Sequence, residues 1–304
     1  MTEFEVSVII INYNTFKMTS KCIDTVIAFT KKNTFEIILV DNASTDGSKE
    51  YFSGDERVKY IYLDKNIGFG RANNVGIYKA KGKYIFLLNS DTLLIDDAIK
   101  QLFDFAELHN HNLGAVGSCL INLQKEDVLS FGLFLSPNRI YRRLLENIGL
   151  IRKSFEQELY DKIALHRYCE VDYISGADLF IPAVVFSAIK PFDPDFFMYY
   201  EETDLQKRME IGGLKRYAIN FRNIIHLEGG SFGYDLPFKR KMMMTKSMKM
   251  YINKHFSGIK KIHVVILSIL IIFKDIIRMK YSIHEKFLLI REIAFGGGKY
   301  DNSY

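Results

Sequence analysis

The stretch FLLNSDTLL at residues 86–94 runs from apolar residues into an amide, a hydroxyl and a carboxylate, and then becomes apolar again. An uninterrupted apolar run is typical of a strand that is buried on both faces of a parallel sheet. Asn89, Ser90 and Asp91 therefore stand where such a strand leaves the core. Ligands of open α/β sheets bind beyond the carboxyl ends of the strands, so these three residues predict a binding edge.

Three earlier apolar runs end on polar residues in the same way. Residues 6–11, 35–40 and 58–63 are predicted strands, and helical patterns separate them. Strands and helices that alternate at short spacing predict an α/β fold, in which a mainly parallel central sheet has helices on both faces. The four strand ends then form one edge, which collects the following residues: Asn12, Asn14, Asp41, Asn42, Asp64, Asn66, Asn89, Ser90 and Asp91.

The chain beyond this edge gives weaker signals. Residues 139–153 form a basic amphipathic stretch, which predicts a helix or a loop over the site. A strand with a break at Gly176 follows, and then a helix that begins near Glu201 and ends at Gly212. From about residue 237 the composition becomes basic and helical.

The composition is that of a globular protein and not of a disulfide-stabilised secreted one. The chain has 304 residues, of which 48% are hydrophobic and 25% charged, and this suits one large domain with an appendage. Cys22, Cys119 and Cys169 are odd in number and far apart, which argues against a disulfide framework or a zinc site. The first residues lack the pattern of a secretory signal, so a cytoplasmic location is expected.

The C-terminal part carries a local excess of positive charge, although the net charge of the chain is only +5. The basic run at residues 239–261 fits an anionic lipid, a nucleic acid or a solvated helix face. Residues 262–273 are apolar but fewer than the roughly 20 that a spanning helix needs. This segment predicts a helix in a membrane interface, a subunit contact such as that of a homodimer, or a helix buried within the chain.

Asp91 is the first candidate for metal binding. A carboxylate beside a turn can bind Mg²⁺ or Mn²⁺, which prefer one or two carboxylates together with substrate phosphates. A cation at this point would neutralise a diphosphate leaving group as a Lewis acid. The alternative is an aspartate that only caps the next turn.

Four segments carry a family resemblance: VSVIIINYN, ILVDNASTDGS, NIGFGRANNVGIYKAKGKYIFLLNSDT and FFMYYEETDLQKRMEIGG. In this order and at this spacing they resemble the family 2 glycosyltransferases, and within them the bacterial rhamnosyltransferase-like branch, over residues 6–233. The resemblance implies a GT-A fold at residues 1–235. Its nucleotide-binding half would span about residues 1–95 and its acceptor half about residues 96–235, with a basic and apolar helical region at residues 236–304.

The resemblance also implies an activity. It is the metal-dependent, inverting transfer of a hexosyl group from a UDP- or dTDP-sugar, with dTDP-rhamnose favoured, to a surface polysaccharide or a lipid-linked glycan. The C-terminal region would hold the enzyme on the inner face of the cell membrane, and nucleic acid is not an expected partner.

Residues that match the family's motifs take the family's donor-binding roles. Asp41 corresponds to the carboxylate that accepts a hydrogen bond from the pyrimidine ring, whose imide is a donor. Asp91 corresponds to the last carboxylate of the D-x-D position, where Asn89 replaces the first, and His226 resembles the histidine that completes the metal shell. The full set for the nucleotide sugar is Asn12, Tyr13, Asn14, Asp41, Asn42, Asn66, Gly70, Arg71, Asn74, Asn89, Ser90 and Asp91.

The acceptor side takes its roles from the same resemblance. Glu202 occupies the place of the catalytic base in the family's Glu-Asp-x-Asp-Leu motif, although that place usually holds an aspartate, and Glu201 is the reserve. A carboxylate there would remove the proton of the attacking hydroxyl, and a helix N-terminus favours its ionised form. Asp178 and Asp204 would contact the donor sugar or the acceptor. The alternatives are a simple strand bulge at Gly176, for Asp178, and a helix-dipole contact, for Asp204.

The sequence leaves two rival functions to weigh. The replacements at Asn89 and Glu202 fit a non-catalytic subunit that keeps the fold and binds a glycan or a partner enzyme. A nucleotidyltransferase shares the architecture, but it usually carries a glycine-rich basic loop near the N-terminus, which this chain lacks.

Overall fold

The computed structural model describes residues 2–147, 149–227, 237–278 and 281–297. Its main sheet has eight strands in the order β3-β2-β1-β4-β10-β6-β11-β8. These strands are β1 Phe4–Asn12, β2 Phe35–Asp41, β3 Lys59–Tyr62, β4 Gly82–Asn89, β6 Leu113–Ser118, β8 Tyr168–Glu170, β10 Asp178–Pro182 and β11 Lys215–Ile219. Two small sheets pair β5 Thr92–Leu94 with β12 Ile224–His226, and β7 Phe131–Gly132 with β9 Tyr173–Ile174.

Helices cover both faces of the main sheet, and a helical part follows. Those within the α/β part are α1 Phe16–Phe29, α2 Ser48–Phe52, α3 Phe69–Lys79, α4 Ala98–Leu108, α5 Pro137–Asn147, α6 Phe155–His166, α7 Val185–Ala188 and α8 Glu201–Ile211. The C-terminal ones are α9 Phe238–His255, α10 Gly258–Arg278 and α11 Ile283–Phe295. The predicted α/β fold with a mainly parallel sheet and a helical C-terminal extension is therefore confirmed.

The first four predicted strands are all present and mutually parallel. β1 pairs with both β2 and β4, and β2 pairs with β3. Their alternating side chains fill two separate cores, one on each face of the sheet, as the β-branched runs require. Because all four strands point the same way, their carboxyl ends share one edge, and the polar residues of that edge lie side by side.

The second half of the sheet departs from parallel order at β10. This strand runs antiparallel to both β4 and β6, and β11 then pairs parallel with β6. Asp178, the first residue of β10, consequently lies opposite Leu88 near the end of β4. A distant segment is thereby brought to the same edge.

The C-terminal helices pack on the α/β part and do not stand apart from it. Met248, Ile252, Val264 and Leu289 form an apolar cluster with Ile140 of α5. The predicted boundary between residues 235 and 236 lies outside the described residues. Among the described residues, no helix is long and apolar enough to cross a membrane.

The apolar segment predicted at residues 262–273 falls within α10. Val264 and Ser268 are buried, whereas Ile262, Ile266 and Leu270 are exposed. The side chains of residues 271–273 lie outside the described part. The helix thus packs internally along one face and presents an apolar face to solvent.

Candidate active site

The carboxyl ends of β1 and β2 are joined by a buried hydrogen-bond network. Asn12 lies opposite Asp41 in the strand register, and its Nδ2 donates to Asp41 Oδ2 at 3.2 Å. The Tyr60 hydroxyl donates to the same oxygen at 3.0 Å, and the Ser44 main-chain N–H donates to Asp41 Oδ1 at 2.7 Å. Asn12 and Asp41 are fully buried, so they lie beneath the surface of the strand edge, and their contact with a nucleotide stays a prediction.

The next residues of β1 form the rim above these two residues. Asn14 has a left-handed backbone with φ 55°, and its side-chain oxygen accepts from the Thr45 N–H at 2.8 Å. Asparagine tolerates this conformation better than most residues do. Tyr13 is 48% exposed, which leaves its ring free to lie along a ligand.

The GFGRANN segment connects the two halves of the molecule. Asn42 donates to Asn66 at 2.8 Å, which fixes the turn before α3. Arg71 Nε donates to the Pro194 carbonyl at 2.5 Å, and Asn74 exchanges two hydrogen bonds with the main chain of Phe192. Arg71 and Asn74, both predicted to contact the donor, therefore hold the loop that leads to α8.

Glycines allow this loop to approach α3 closely. Gly68 has φ 89°, and a Cβ there would lie 2.3 Å from the Phe197 carbonyl oxygen. A Cβ on Gly70 would lie 3.3 Å from that of Glu201. The start of α8 thus lies directly against the start of α3.

Asp91 and His226 meet at the edge where β4 ends. β5 pairs antiparallel with β12 so that Thr92 lies opposite His226, and the Leu227 N–H donates to the Asp91 carbonyl at 2.8 Å. His226 Nε2 lies 3.2 Å from Asp91 Oδ1, and both side chains are about one-sixth exposed. The two residues predicted to bind a metal are therefore neighbours.

This pair fits a cation that shares its coordination with substrate. Within the described ranges, no group of three or more His, Cys, Asp or Glu residues is arranged to hold a metal. One carboxylate and one imidazole leave most positions open, and Mg²⁺ and Mn²⁺ fill such positions with phosphate oxygens and water. Ser90 Oγ, 3.0 Å from Thr15 Oγ1, ties the turn to α1.

Asp178 lies close to the pair and is fully buried. Its Oδ2 accepts from the main-chain N–H and the hydroxyl of Ser118 at 2.6 and 2.7 Å, while its Oδ1 has no partner among the described residues. Burial raises the pKa of Asp178 from 3.8 to about 7, against the opposing effects of the Ser118 hydrogen bonds and the His226 charge. This carboxyl is consequently poised between its charged and neutral forms near neutral pH.

Two adjacent carboxyls open α8. Burial and then the charge of Glu202 raise the pKa of Glu201 well above its ordinary value, and Glu201 Oε2 has no partner within the described part of the chain. Burial is also the main cause of the raised pKa of Glu202, whose side chain still reaches solvent. Of the two predicted bases, Glu202 is the more accessible.

Asp204 lies one turn after Glu201 on α8 and is fully buried. It contacts Arg208 Nε at 2.9 Å, Lys254 Nζ at 2.8 Å and His255 Nε2 at 2.7 Å. Burial opposes ionisation, but hydrogen bonds from His255 and Lys254 outweigh it and lower the pKa of Asp204. This arrangement joins α8 to the end of α9; a contact with acceptor stays a prediction.

Several residues of the site gave no signal in the sequence. Ser118 binds Asp178, Tyr60 and Ser44 bind Asp41, and Thr15 binds Ser90. Serines, threonines and tyrosines are common, and only the strand register shows which of them meet a site residue.

Comparison with known proteins identifies related sequences. Residues 7–163 match the family model "Glycosyl transferase family 2". Glycosyltransferase GlyG of Streptococcus pneumoniae is 36% identical over 102 residues, or 32% of this chain and 34% of that protein. Succinoglycan biosynthesis protein ExoO of Rhizobium meliloti is 24% identical over 172 residues, covering 52% of this chain and 49% of that protein.

Other relatives differ in length from this chain, and the fold has a solved counterpart. Glycosyltransferase GlyA of Streptococcus pneumoniae is 27% identical over 54% of this chain, which spans only 24% of that protein. A crystal structure of GalNAc-T7 with UDP, GalNAc and Mn²⁺ superposes with a TM-score of 0.56 at 15% identity, covering 75% of this chain and 44% of the other. This likeness concerns the fold.

We predict that Asp178→Asn changes the pH dependence of stability in metal-free protein. A carboxyl with a raised folded-state pKa contributes stability below its unfolded pKa of 3.8 and loses that contribution as the pH rises through about 7. One pKa unit is worth about 1.4 kcal/mol, so the cost of ionised Asp178 is roughly 4 kcal/mol at most. The stability of the asparagine variant relative to wild type should therefore increase between pH 4 and 8.

Urea unfolding midpoints at several pH values, in the presence of EDTA, measure this difference. Asp104→Asn on the surface of α4 is the control, and its effect should vary little over the same range. Parallel stability curves for wild type and Asp178→Asn would contradict the prediction.

Proposed function

The chain belongs to glycosyltransferase family 2, and from this premise we propose that it transfers a sugar, with inversion, from a UDP- or dTDP-sugar to a surface-polysaccharide or lipid-linked glycan. The observation that carries the proposal is the contact of Asp91 with His226 at the strand edge. The resemblance to the rhamnosyltransferase-like branch is what favours dTDP-rhamnose as the donor. The relative ExoO is named for succinoglycan biosynthesis, which supports a polysaccharide as the product.

The nucleoside would lie over the ends of β1 and β2. A carboxylate has about four acceptor sites, and three protein donors already bind Asp41. One further site therefore remains for the ring N–H of a pyrimidine, provided that the rim around Tyr13 admits the base. Asn14, Asn42 and Asn66 would fix this rim around the nucleoside.

The diphosphate would lie beside Asp91 and His226. A divalent cation bound there supplies positive charge to the leaving diphosphate. Asp91 and His226 would hold that cation, while Ser90 fixes the turn on which Asp91 lies. Asn89 is a neutral oxygen donor near the same point.

Glu202 would act as the base toward the acceptor hydroxyl. A base is most effective when its pKa lies near the working pH, and burial raises the pKa of Glu202 in that direction. A single displacement needs a base on the face opposite the leaving group, and inversion requires that Glu202 at the start of α8 takes that position. Glu201 would hold the proton that the pair shares and support the charge of its neighbour.

The C-terminal helices would place the enzyme on the inner face of the cell membrane. Ile259, Ile262, Ile266 and Leu270 form an exposed apolar row on α10, here called the α10 stripe. Lys260 is exposed beside it. Apolar side chains flanked by basic ones are typical of helices that lie in the interface of an anionic membrane.

We predict that Asp91→Asn lowers the affinity for UDP in the presence of Mn²⁺ by tenfold or more. The amide keeps the size of the side chain but removes the charge that attracts the cation. Isothermal titration of UDP with and without Mn²⁺ measures the effect, and Asp104→Asn is the matched control. A variant that retains the full Mn²⁺-dependent gain in affinity would remove Asp91 from the metal role.

We predict that Glu202→Gln keeps UDP affinity and loses catalysis by roughly 10²-fold or more, the usual contribution of a general base. The readout is Mn²⁺-dependent release of UDP or dTDP from a panel of sugar nucleotides. Glu201→Gln should lower the rate of nucleotide release by a smaller factor than Glu202→Gln does. The opposite order would make Glu201 the base, and a wild-type protein without any donor hydrolysis would favour the non-catalytic subunit.

We predict that the double variant Ile262→Glu, Ile266→Glu reduces binding to vesicles of phosphatidylcholine and phosphatidylglycerol. The two glutamates interrupt the α10 stripe and repel anionic lipid. Leu108→Glu with Leu165→Glu is the matched control, since both of these leucines are exposed on helices of the α/β part. Co-sedimentation that is equal for both double variants would exclude the stripe as the membrane contact.

A further inference from the structure

A cavity of about 290 Å³ lies on the acceptor side, between α5, α6, the β7–β9 pair, α9 and α10. Its walls are mainly apolar and include Phe131, Ile140, Leu159 and Met248, all of them buried. The volume is close to the lower end of the range for small-molecule sites, about 300–1,000 Å³. None of the predicted donor-binding residues lines this cavity.

The charged groups that line the cavity differ in whether they form ion pairs. Arg139, Arg143 and Lys241 line it together with two acidic residues. Arg139 is paired with Asp172. Arg143 is exposed and, within the described ranges, makes no ion pair. The cavity therefore offers the guanidinium of Arg143 to an anionic ligand alongside apolar walls.

One end of the cavity lies beside the proposed base. Tyr173 and Tyr200 line it, and Tyr200 directly precedes α8. The Glu202 charge raises the pKa of both tyrosines, after burial, while the Arg143 charge lowers both. Glu202 and Arg143 are thus close to the same pair of phenols.

The backbone at this end is held in an unusual conformation. Tyr199 and Tyr200 both have left-handed backbones, with φ 71° and 64°. Such angles are uncommon and costly for residues other than glycine, and they concentrate at binding and catalytic sites. They turn the chain so that Tyr200 faces the cavity while Glu201 and Glu202 begin α8.

The opposite wall of the cavity belongs to the helix that carries the α10 stripe. Ser268 lines the cavity and is buried, whereas Ile266 and Leu270 of the same helix are exposed. The surface proposed to touch the membrane is thus the outer face of one cavity wall.

We propose that this cavity binds the apolar chain of a lipid-linked acceptor, with Arg143 at the phosphate that joins the chain to its sugar. The assignment rests on the proposed function and names the acceptor class of that site. Apolar walls account for the chain, Arg143 for the phosphate, and the tyrosines for the passage that leads the sugar hydroxyl to Glu202. A water-soluble acceptor would use neither the apolar walls nor the link to the membrane face.

The test measures binding of farnesyl phosphate to the full chain by isothermal titration, with farnesol and inorganic phosphate as separate probes. Farnesyl phosphate should bind at least tenfold more tightly than farnesol, and inorganic phosphate alone should not bind measurably. Arg143→Gln should abolish the preference for farnesyl phosphate over farnesol. Arg152→Gln, a change of an exposed arginine outside the cavity, should leave that preference unchanged.

The second part of the test fills the cavity with larger side chains. Thr245 is a small buried residue on the α9 wall, and Thr245→Phe should lower the affinity for both farnesyl ligands by tenfold or more, whereas Thr245→Val should not. Ser268→Phe fills the space from the opposite wall, in case the first variant fails to fold. A folded filling variant that binds as wild type does, or a soluble glycan that competes with farnesyl phosphate, would overturn the assignment.

Donor hydrolysis by the wild-type protein separates the two proposals. If Mn²⁺-dependent release of nucleotide is seen but farnesyl phosphate does not bind, the cavity assignment alone fails. If farnesyl phosphate binds as expected but no sugar nucleotide is hydrolysed, the transferase proposal fails while the cavity remains a lipid site.

Discussion

The pairing of β5 with β12 is the constraint on which the strand edge depends. β4 emerges from a core that is apolar on both faces, so the position of Asn89 is fixed by the packing of the whole sheet. Only a second chain segment can then complete the edge, and the β5–β12 ladder brings His226 to within 3.2 Å of Asp91. Main-chain hydrogen bonds, and not the two side chains themselves, hold this distance. The β5–β12 ladder consequently places the two proposed metal ligands side by side before any ligand arrives.

A buried ionic cluster fixes the position of α8 in the same way as the β5–β12 ladder fixes the strand edge. Asp204 contacts Arg208 on its own helix and Lys254 and His255 at the end of α9. Removing one partner of such a cluster leaves an uncompensated buried charge, which typically costs several kcal/mol. The cluster therefore fixes α9 relative to Glu202, and α9 is a wall of the acceptor cavity. Through this contact the C-terminal helices pack against the start of α8 and are not an independent appendage.

The elements that the sequence predicts are those whose signal is local. β1 to β4 follow from apolar runs, and their shared edge follows from the single direction of parallel strands. The place of β10 does not follow, because a five-residue strand inserted antiparallel between β4 and β6 depends on partners far away in the chain. For the same reason Asp178 could be named from its motif, but its bond with Ser118 and its raised pKa could not. The contact of Asp91 with His226 was expected from family resemblance alone, since nothing local indicates that the two would meet.

Several unfavourable features of the fold lie between the strand edge and the cavity beside α8. Glu201 and Asp178 each keep a buried oxygen without a partner among the described residues, and Tyr199 and Tyr200 adopt strained backbones. Each of these features lowers the stability of the fold. Apolar side chains at the same positions would not carry the cost of an unpaired buried oxygen. Sequences are otherwise consistent with their folds at every level, and exceptions are expected where function requires them. Because these exceptions border both the proposed metal ligands and the cavity, the proposed donor and acceptor would meet in the part of the protein where these destabilising features lie.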